Sequence, residues 1–502
     1  MITRKSVGLR SERGPLLAAL MLTTALVALD ATIIATAVPS IVDDLGGFSQ
    51  FPWLFSIYLL AQAVSTPIYG RLADVLGRKP VMLAGIGLFL LGSVLCGVAW
   101  TMPALILARA VQGLGAGAVL PMSQTIAGDV YTLAERAKVQ GYLASVWGVS
   151  SVVGPTLGGV FSEYGTWRWI FWINLPLCAV AATVLWRNFS EKVERKRGAI
   201  DYPGAALLSA GCALLILGLL EGGQAWGWLS GPSALALLGG LALVVAFVLV
   251  ERRVAAPILP LWVFTRRVLV ASSLTAAGVG AVVLGLTSYV PTYAQGVLGA
   301  GPITAGFTLA MLTVGWPIAA SMSGRLYLPL GFRTTAVIGS GLIVAGSALV
   351  VLVTTSEAGL LALAGSCFVV GTGLGLAASP SLIAAQSSVG WAERGVVTGN
   401  NMFARSLGSA LAVAAFGAVA NAVLDGRQPV GPALTSASTA VFFGVLGVAV
   451  VTIAAVMGLP RGAARDHEEP SAEPSGSATP RRDTAGRPAA PEPAGSRRAA
   501  SS

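Results

Sequence analysis

Histidine is almost missing from this chain of 502 residues: the single copy, His467, lies beyond the last apolar run. No histidine proton relay or histidine catalysis can therefore operate inside the apolar part. Charge is scarce as well, at 11% of residues against 55% hydrophobic, with a mean hydropathy of +0.77. Such a chain cannot surround its core with a water-facing shell, and it reads as an all-α integral membrane protein. The four cysteines, Cys96, Cys178, Cys212 and Cys367, all sit in apolar runs without a CxxC pair. Redox chemistry, a metal site and a bound cofactor are not expected. No GxxxxGK[ST], HExxH or GxSxG pattern occurs, and the spans hold no paired carboxylates, which argues against a nucleotide site and against an enzyme. The net charge of +10 is spread over short loops and a tail, so no nucleic-acid partner is expected either.

Long apolar runs are what the chain does have. Breaks at charged or Gly/Pro-rich points leave fourteen segments, at about 16–39, 51–70, 81–99, 103–127, 138–161, 169–186, 202–220, 232–250, 268–295, 303–323, 335–354, 358–380, 396–421 and 434–458. Each is near the ~20 residues that a bilayer core demands. An even number of spans returns both termini to one side. Lys and Arg gather in alternate loops and the two termini, and the opposite side holds only Arg168 and Arg427, so both termini are expected in the cytoplasm. Residues 1–15 form a basic cytoplasmic N-terminus whose following span runs on for a full crossing, so no cleavable signal is expected. Residues 461–502, rich in Ala, Pro, Ser, Glu and Arg, read as a disordered cytoplasmic tail.

An internal repeat divides the chain. Gly70-Arg71-Leu72 returns as Gly324-Arg325-Leu326, and Leu76-Gly77 as Leu330-Gly331. Further along, Gly113, Gly115 and Gly117 match Gly371, Gly373 and Gly375, and Ala134-Glu135-Arg136 matches Ala392-Glu393-Arg394, with Gly141 and Gly399 following. Two related six-helix bundles, 16–187 and 268–460, are predicted, with two inserted helices in the linker 188–267, an arrangement expected of many secondary transporters.

Two charged residues stand out within the spans. Asp30 is the one acid well inside an apolar run, where a carboxylate is costly and should face a polar cavity; it is a candidate proton-coupling or cation-recognising group. Arg109 sits in the fourth span, on one face with Gly113 and Gly117. An arginine stays protonated, so its candidate role is to tune a carboxylate or pair with an anion. The fifth span carries Gly148, Gly154, Pro155, Gly158 and Gly159, a small-residue face broken by a proline, which reads as a hinge or packing seam. Tyr58, Gln62, Gln112, Asn174, Tyr289, Tyr293, Trp316, Asn400, Asn401 and Arg405 are polar or aromatic residues inside spans and are candidates to line a central cavity.

The eleven residues Gly70-Arg-Leu-Ala-Asp-Val-Leu-Gly-Arg-Lys-Pro80 join two apolar runs by a charged turn at the membrane surface. This turn, with Leu29-Asp-Ala-Thr-Ile-Ile-Ala-Thr-Ala-Val-Pro39, the Arg109 segment and the Gly154-Pro155 segment, resembles the motifs of the major facilitator superfamily, in its fourteen-helix drug:proton antiporter branch. The resemblance implies a major facilitator fold and a proton-coupled antiporter that exports amphipathic drugs or antibiotics across the cytoplasmic membrane as a monomer among lipids. It implies that Gly70, Arg71, Asp74, Gly77, Arg78 and Lys79 form a cytoplasmic gate in which Asp74 and Arg78 lock the halves together. The same residues also fit a dedicated exporter of one endogenous metabolite or antibiotic, or a non-transporting sensor or lipid-handling relative of the same fold.

Overall fold

The structure, a computed structural model, describes residues 7–46, 50, 53–191, 201–222, 226–254, 257, 259–356, 359–424 and 431–461. The predicted tail 461–502 thus lies outside the described residues, Arg461 excepted. Fifteen α-helices are formed among them: α1 Gly14–Leu45, α2 Trp53–Leu76, α3 Arg78–Gly97, α4 Met102–Val130, α5 Leu133–Tyr164, α6 Trp169–Trp172, α7 Asn174–Asn188, α8 Tyr202–Glu221, α9 Gly231–Glu251, α10 Arg267–Gly296, α11 Pro302–Leu330, α12 Phe332–Thr355, α13 Leu360–Ser387, α14 Arg394–Leu424 and α15 Gly431–Val456. No strand occurs among the described residues, only one isolated bridge between Gly222 and Trp226.

Twelve described segments are long and apolar enough to cross a membrane. The second predicted span, α2, is not among them, because Gln62, Ser65, Thr66 and Tyr69 dilute its hydropathy. Of α8, Pro203–Leu219 counts only as a shorter apolar helix. The sixth predicted span is broken at Ile173 into α6 and α7. Pro176 has no N–H to offer the Trp172 carbonyl four residues back, so the helix restarts there.

Helix ends follow local chemistry. Thr132 and Glu135 form a capping box that opens α5, while the Asp201 carboxylate accepts the Gly204 N–H at the start of α8 (2.9 Å). Gly77 and Gly331 adopt φ of 100° and 86°, which L side chains resist, and each makes a one-residue joint, α2 to α3 and α11 to α12.

The sequence repeat reappears as a repeat of contacts. In the first half α1 packs on α5, and α4 packs on α2 and α3; in the second, α10 packs on α14, and α13 packs on α11 and α12. Glycines set the spacing. A methyl at Gly113 would lie 2.5 Å from the Tyr58 carbonyl, and Gly371 abuts the Leu312 carbonyl in the equivalent place. Gly117 lies against the Gln62 carbonyl as Gly375 does against that of Trp316, and Gly115 against Gly85 and Phe89 as Gly373 does against Gly339 and Ile343. Helix axes can approach this closely only where no side chain intervenes.

The halves are joined by α2 against α14 and α5 against α11. Gly70 meets Gly395 at the first seam, and Gly324 meets Ala137 at the second, again in repeat positions. The inserted helices α8 and α9 pair with each other, and α8 rests on both α2 and α14.

Valine at Gly115 or at Gly373 would press into backbone on the neighbouring helix, and overpacking of this kind costs about 1–3 kcal/mol. Each variant should lower the thermal midpoint of the purified protein, measured by tryptophan fluorescence. Gly87→Val, at a position with open space around it, should leave the midpoint unchanged.

Candidate functional site

Asp30 lies in α1, 2% exposed, with both carboxylate oxygens occupied by α4. Arg109 Nη1 donates to Oδ2 at 2.6 Å and Gln112 Nε2 donates to Oδ1 at 2.8 Å. Arg109 and Gln112 are one turn apart, so a single face of α4 presents both, and Nη1 also donates to Gln112 Oε1 at 2.6 Å. The guanidinium is completed by a bond from Nε to the Leu54 carbonyl, 3.2 Å, and by the face of Tyr58, whose ring centroid is 4.1 Å from its central carbon. Gln112 Nε2 donates also to Ser93 Oγ at 2.8 Å, which in turn receives Asn174 Nδ2 at 3.2 Å. Tyr58, Gln112 and Asn174 are thereby closed inside a polar network rather than open to a cavity, at 2%, 0% and 1% exposure. The Tyr58 hydroxyl alone in this network has no hydrogen-bond partner among the described residues.

Among the described residues the second half has no such network. Arg109 is replaced in the repeat by Cys367 and Gln112 by Val370; Ser93 is kept as Ser347, whose buried hydroxyl is left without a hydrogen-bond partner among the described residues.

A second charged cluster gathers where α2 meets α3, because the predicted turn at 70–80 is helical except at Gly77. Arg78, 0% exposed, lies 3.0 Å from Asp74 Oδ1 and donates from Nε to Asp129 Oδ2 at 3.0 Å. It also donates to the Trp391 carbonyl and lies 3.7 Å from the centroid of that indole, which belongs to the other half. Asp74 accepts the Gly395 and Val396 N–H groups at 2.9 and 2.8 Å, so a carboxylate of the first half sits on the N-terminus of α14. Glu191 Oε2 does the same for α3 by accepting the Arg78 and Lys79 N–H groups at 2.8 and 3.1 Å, while Lys79 Nζ reaches the Trp186 carbonyl at 2.7 Å. Arg71 is partly buried beside the cluster on α2.

Around it, repeat positions exchange partners across the seam. Arg394 Nη1 donates to Asp129 Oδ1 at 3.0 Å, and Arg136 Nη1 donates to Ser387 Oγ at 3.1 Å. At the other seam Leu328 and Phe332 stand where Asp74 and Arg78 do; Phe332 stacks on Tyr327, whose hydroxyl donates to the Leu133 carbonyl at 2.5 Å. Asp129, Glu191, Trp391 and Ser93 escaped the sequence reading. Asp129 and Glu191 look like ordinary loop-end acids, and only packing reveals their partners; the match of Arg136 with Arg394 was the one available signal.

The fifth-span residues lie at two contacts. Gly154 packs on Thr32 of α1, two residues from Asp30, and Gly148 faces the Thr313 carbonyl of α11 across the seam at a methyl distance of 3.1 Å. Gly158 is buried, Gly159 has open space, and the Pro155 side chain lies outside the described residues. Of the remaining candidates, Asn400 donates to Ser273 Oγ at 2.7 Å, Asn401 donates to Ser272 Oγ at 2.9 Å, and Tyr289 donates to the Phe416 carbonyl at 3.3 Å. Tyr293 is buried edge-on to Phe442, Trp316 packs against the second-half core, and Gln62 and Arg405 are partly buried.

A sequence profile described as Major Facilitator Superfamily matches residues 20–413. The chain belongs to the Major Facilitator Superfamily. Among similar proteins of that superfamily, the multidrug transporter protein MdtP of Bacillus subtilis (strain 168) is 34% identical over 83% of this chain and 76% of its own length. Multidrug resistance protein 3 of the same organism is 34% identical over 80% of this chain and 78% of its own length. The crystal structure of the human organic anion transporter MFSD10 (TETRAN) superposes with a TM-score of 0.63 over 89% of this chain and 99% of that one; at 15% identity the likeness is one of fold. The helices described above thus form an all-helical major facilitator fold, and the protein is a multi-pass membrane protein.

The Asp74 carboxylate holds the first N–H groups of α14 directly. Asp74→Asn keeps the shape and removes the charge, so spin labels at Leu76 and Gly390 should move apart when the distance is read by double electron–electron resonance. An unchanged distance would show that packing alone holds this end together.

Proposed function

We propose that this protein is a proton-coupled antiporter that exports amphipathic small molecules, drugs and antibiotics among them, from the cytoplasm across the cell membrane by alternating access. The observation that carries the reading is Asp30, the sole acid deep in a span, with both oxygens held by one face of α4. Protonation of Asp30 removes the charge that Arg109 is paired with, and the guanidinium must then find other partners. Removing one member of a buried pair costs about 3–5 kcal/mol, enough to shift a balance between two arrangements of the halves. A proton taken up at Asp30 from outside and released inside can thereby be exchanged for substrate, with Arg109 setting how readily the carboxylate gives it up.

The α2–α3 junction at 70–80 serves in this reading as the cytoplasmic gate, with Asp74 as its latch on α14 and Arg78 as the hub that holds Asp74 and Asp129 in place. Fourteen spans, with α8 and α9 as the insert and both termini cytoplasmic, agree with the clustering of Lys and Arg in alternate loops. The similarity to two multidrug proteins of Bacillus subtilis supports export of drug-like substrates. A protein whose one intramembrane acid is already paired suits monocationic, neutral or anionic substrates better than dications. The transporter works as a monomer surrounded by lipid.

Addition of an exported drug to the purified protein in weakly buffered detergent solution should release protons, read with a pH-sensitive dye. Asp30→Asn should abolish both the release and gradient-driven export from proteoliposomes. Retention of proton-driven export by that variant would remove Asp30 from the coupling step.

A further inference from the structure

We infer that Arg405 is a recognition site for the carboxylate of an amphipathic substrate; this deepens the export reading and rests on it. Arg405 lies in α14, about 17 Å along the axis from the start of that helix at 1.5 Å per residue, a depth within the bilayer core rather than among headgroups. Its side chain makes no hydrogen bond or ion pair among the described residues, and it is partly buried. The two most deeply buried arginines make the contrast. Arg109 is bonded to Asp30, Gln112 and the Leu54 carbonyl, and Arg78 to Asp74, Asp129 and the Trp391 carbonyl.

The second half cannot supply a counter-ion. Between positions 267 and 460 its only acids are Glu357, Glu393 and Asp425, the last outside the described residues and twenty residues beyond Arg405 in the chain. Glu357, which lies outside the described residues, falls between α12 and α13 in the sequence, and Glu393 precedes α14, about 18 Å from Arg405 along the axis, and lies 3.9 Å from Arg266. The first half has one deep acid, Asp30, and both of its oxygens are taken. The intramembrane charges are therefore one carboxylate, its arginine, and a second arginine left over.

The stripe of α14 that carries Arg405 starts at the contact between the halves. Thr398, two turns earlier on the same face, accepts a bond from Gln386 of α13 at 2.9 Å, and Gln386 also donates to the Gln124 carbonyl of α4 in the other half at 3.3 Å. Followed into the membrane, the stripe that begins at the seam between the halves reaches Arg405. A guanidinium there presents a planar fork of donors with no protein acceptor, which matches a carboxylate in two parallel charge-assisted hydrogen bonds. A lysine offers the charge without the fork.

The test uses a matched pair of dyes: rhodamine 110, which has a free carboxylate, and rhodamine 123, its methyl ester. Binding is measured by fluorescence anisotropy on the full chain in lipid nanodiscs. The wild-type protein should bind rhodamine 110 about tenfold more tightly, a difference of about 1.4 kcal/mol. Arg405→Gln should erase that preference and leave rhodamine 123 binding unchanged, while Arg405→Lys should retain part of it. Equal affinity for the two dyes in the wild-type protein, no binding of rhodamine 110, or a parallel loss of both dyes in Arg405→Gln would overturn the assignment. Because no gradient is applied, a protein that binds the carboxylate dye selectively and fails to export it would contradict the export reading while sustaining this one; export of both dyes with equal affinities would do the reverse.

Discussion

A charge within a bilayer must bring its partner along, because lipid offers no water to replace it. This constraint organises the polar half of the structure. Asp30 is tolerable in α1 only because α4 presents Arg109 and Gln112 from one face, and those two in turn require Leu54, Tyr58 and Ser93 on α2 and α3. Four side chains and a carbonyl from three helices are thereby committed to one carboxylate. The same demand at the membrane surface gathers Asp74, Asp129, Trp391 and the start of α14 around Arg78.

The backbone obeys a two-fold repeat that the charges ignore. Glycines at equivalent positions carry the close approach of α4 to α2 and α3 and of α13 to α11 and α12, contact by contact. Yet the Asp30 network has Cys367 and Val370 on its mirror side, and the Asp74–Arg78 pair has Leu328 and Phe332. Packing thus uses both halves alike, while ionic chemistry is concentrated in the first, apart from Arg394 and Arg405. The scaffold is thus symmetric in shape and asymmetric in charge.

Much of this was legible in the amino-acid order because membranes simplify the problem. Hydropathy marks the spans, and Asp30 and Arg109 stand out against apolar neighbours. The break between α6 and α7 was missed where Pro176 interrupts an otherwise continuous apolar run. Polar residues within spans were harder. Tyr58, Gln112, Asn174 and Arg405 look alike as isolated letters, yet three are sealed into one network and the fourth has no partner among the described residues. That difference arises from which helices touch, and repeat offsets carry only part of that information. Ser93 shows the limit: its copy Ser347 has the same address and no hydrogen-bond partner among the described residues.

The seat of α8 on both α2 and α14 sets a mechanical condition on the insert. A helix that leans on both banks of a seam cannot stay fixed to both when the gap widens. Either its grip on one bank slips or the pair formed with α9 travels with the other, like a weatherstrip fastened along one edge of a door. The fastened edge decides which half carries the insert as cargo, and the free edge must slide either against Leu60 and Ala63 of α2 or against Ala410 of α14, side chains with nothing polar to catch on.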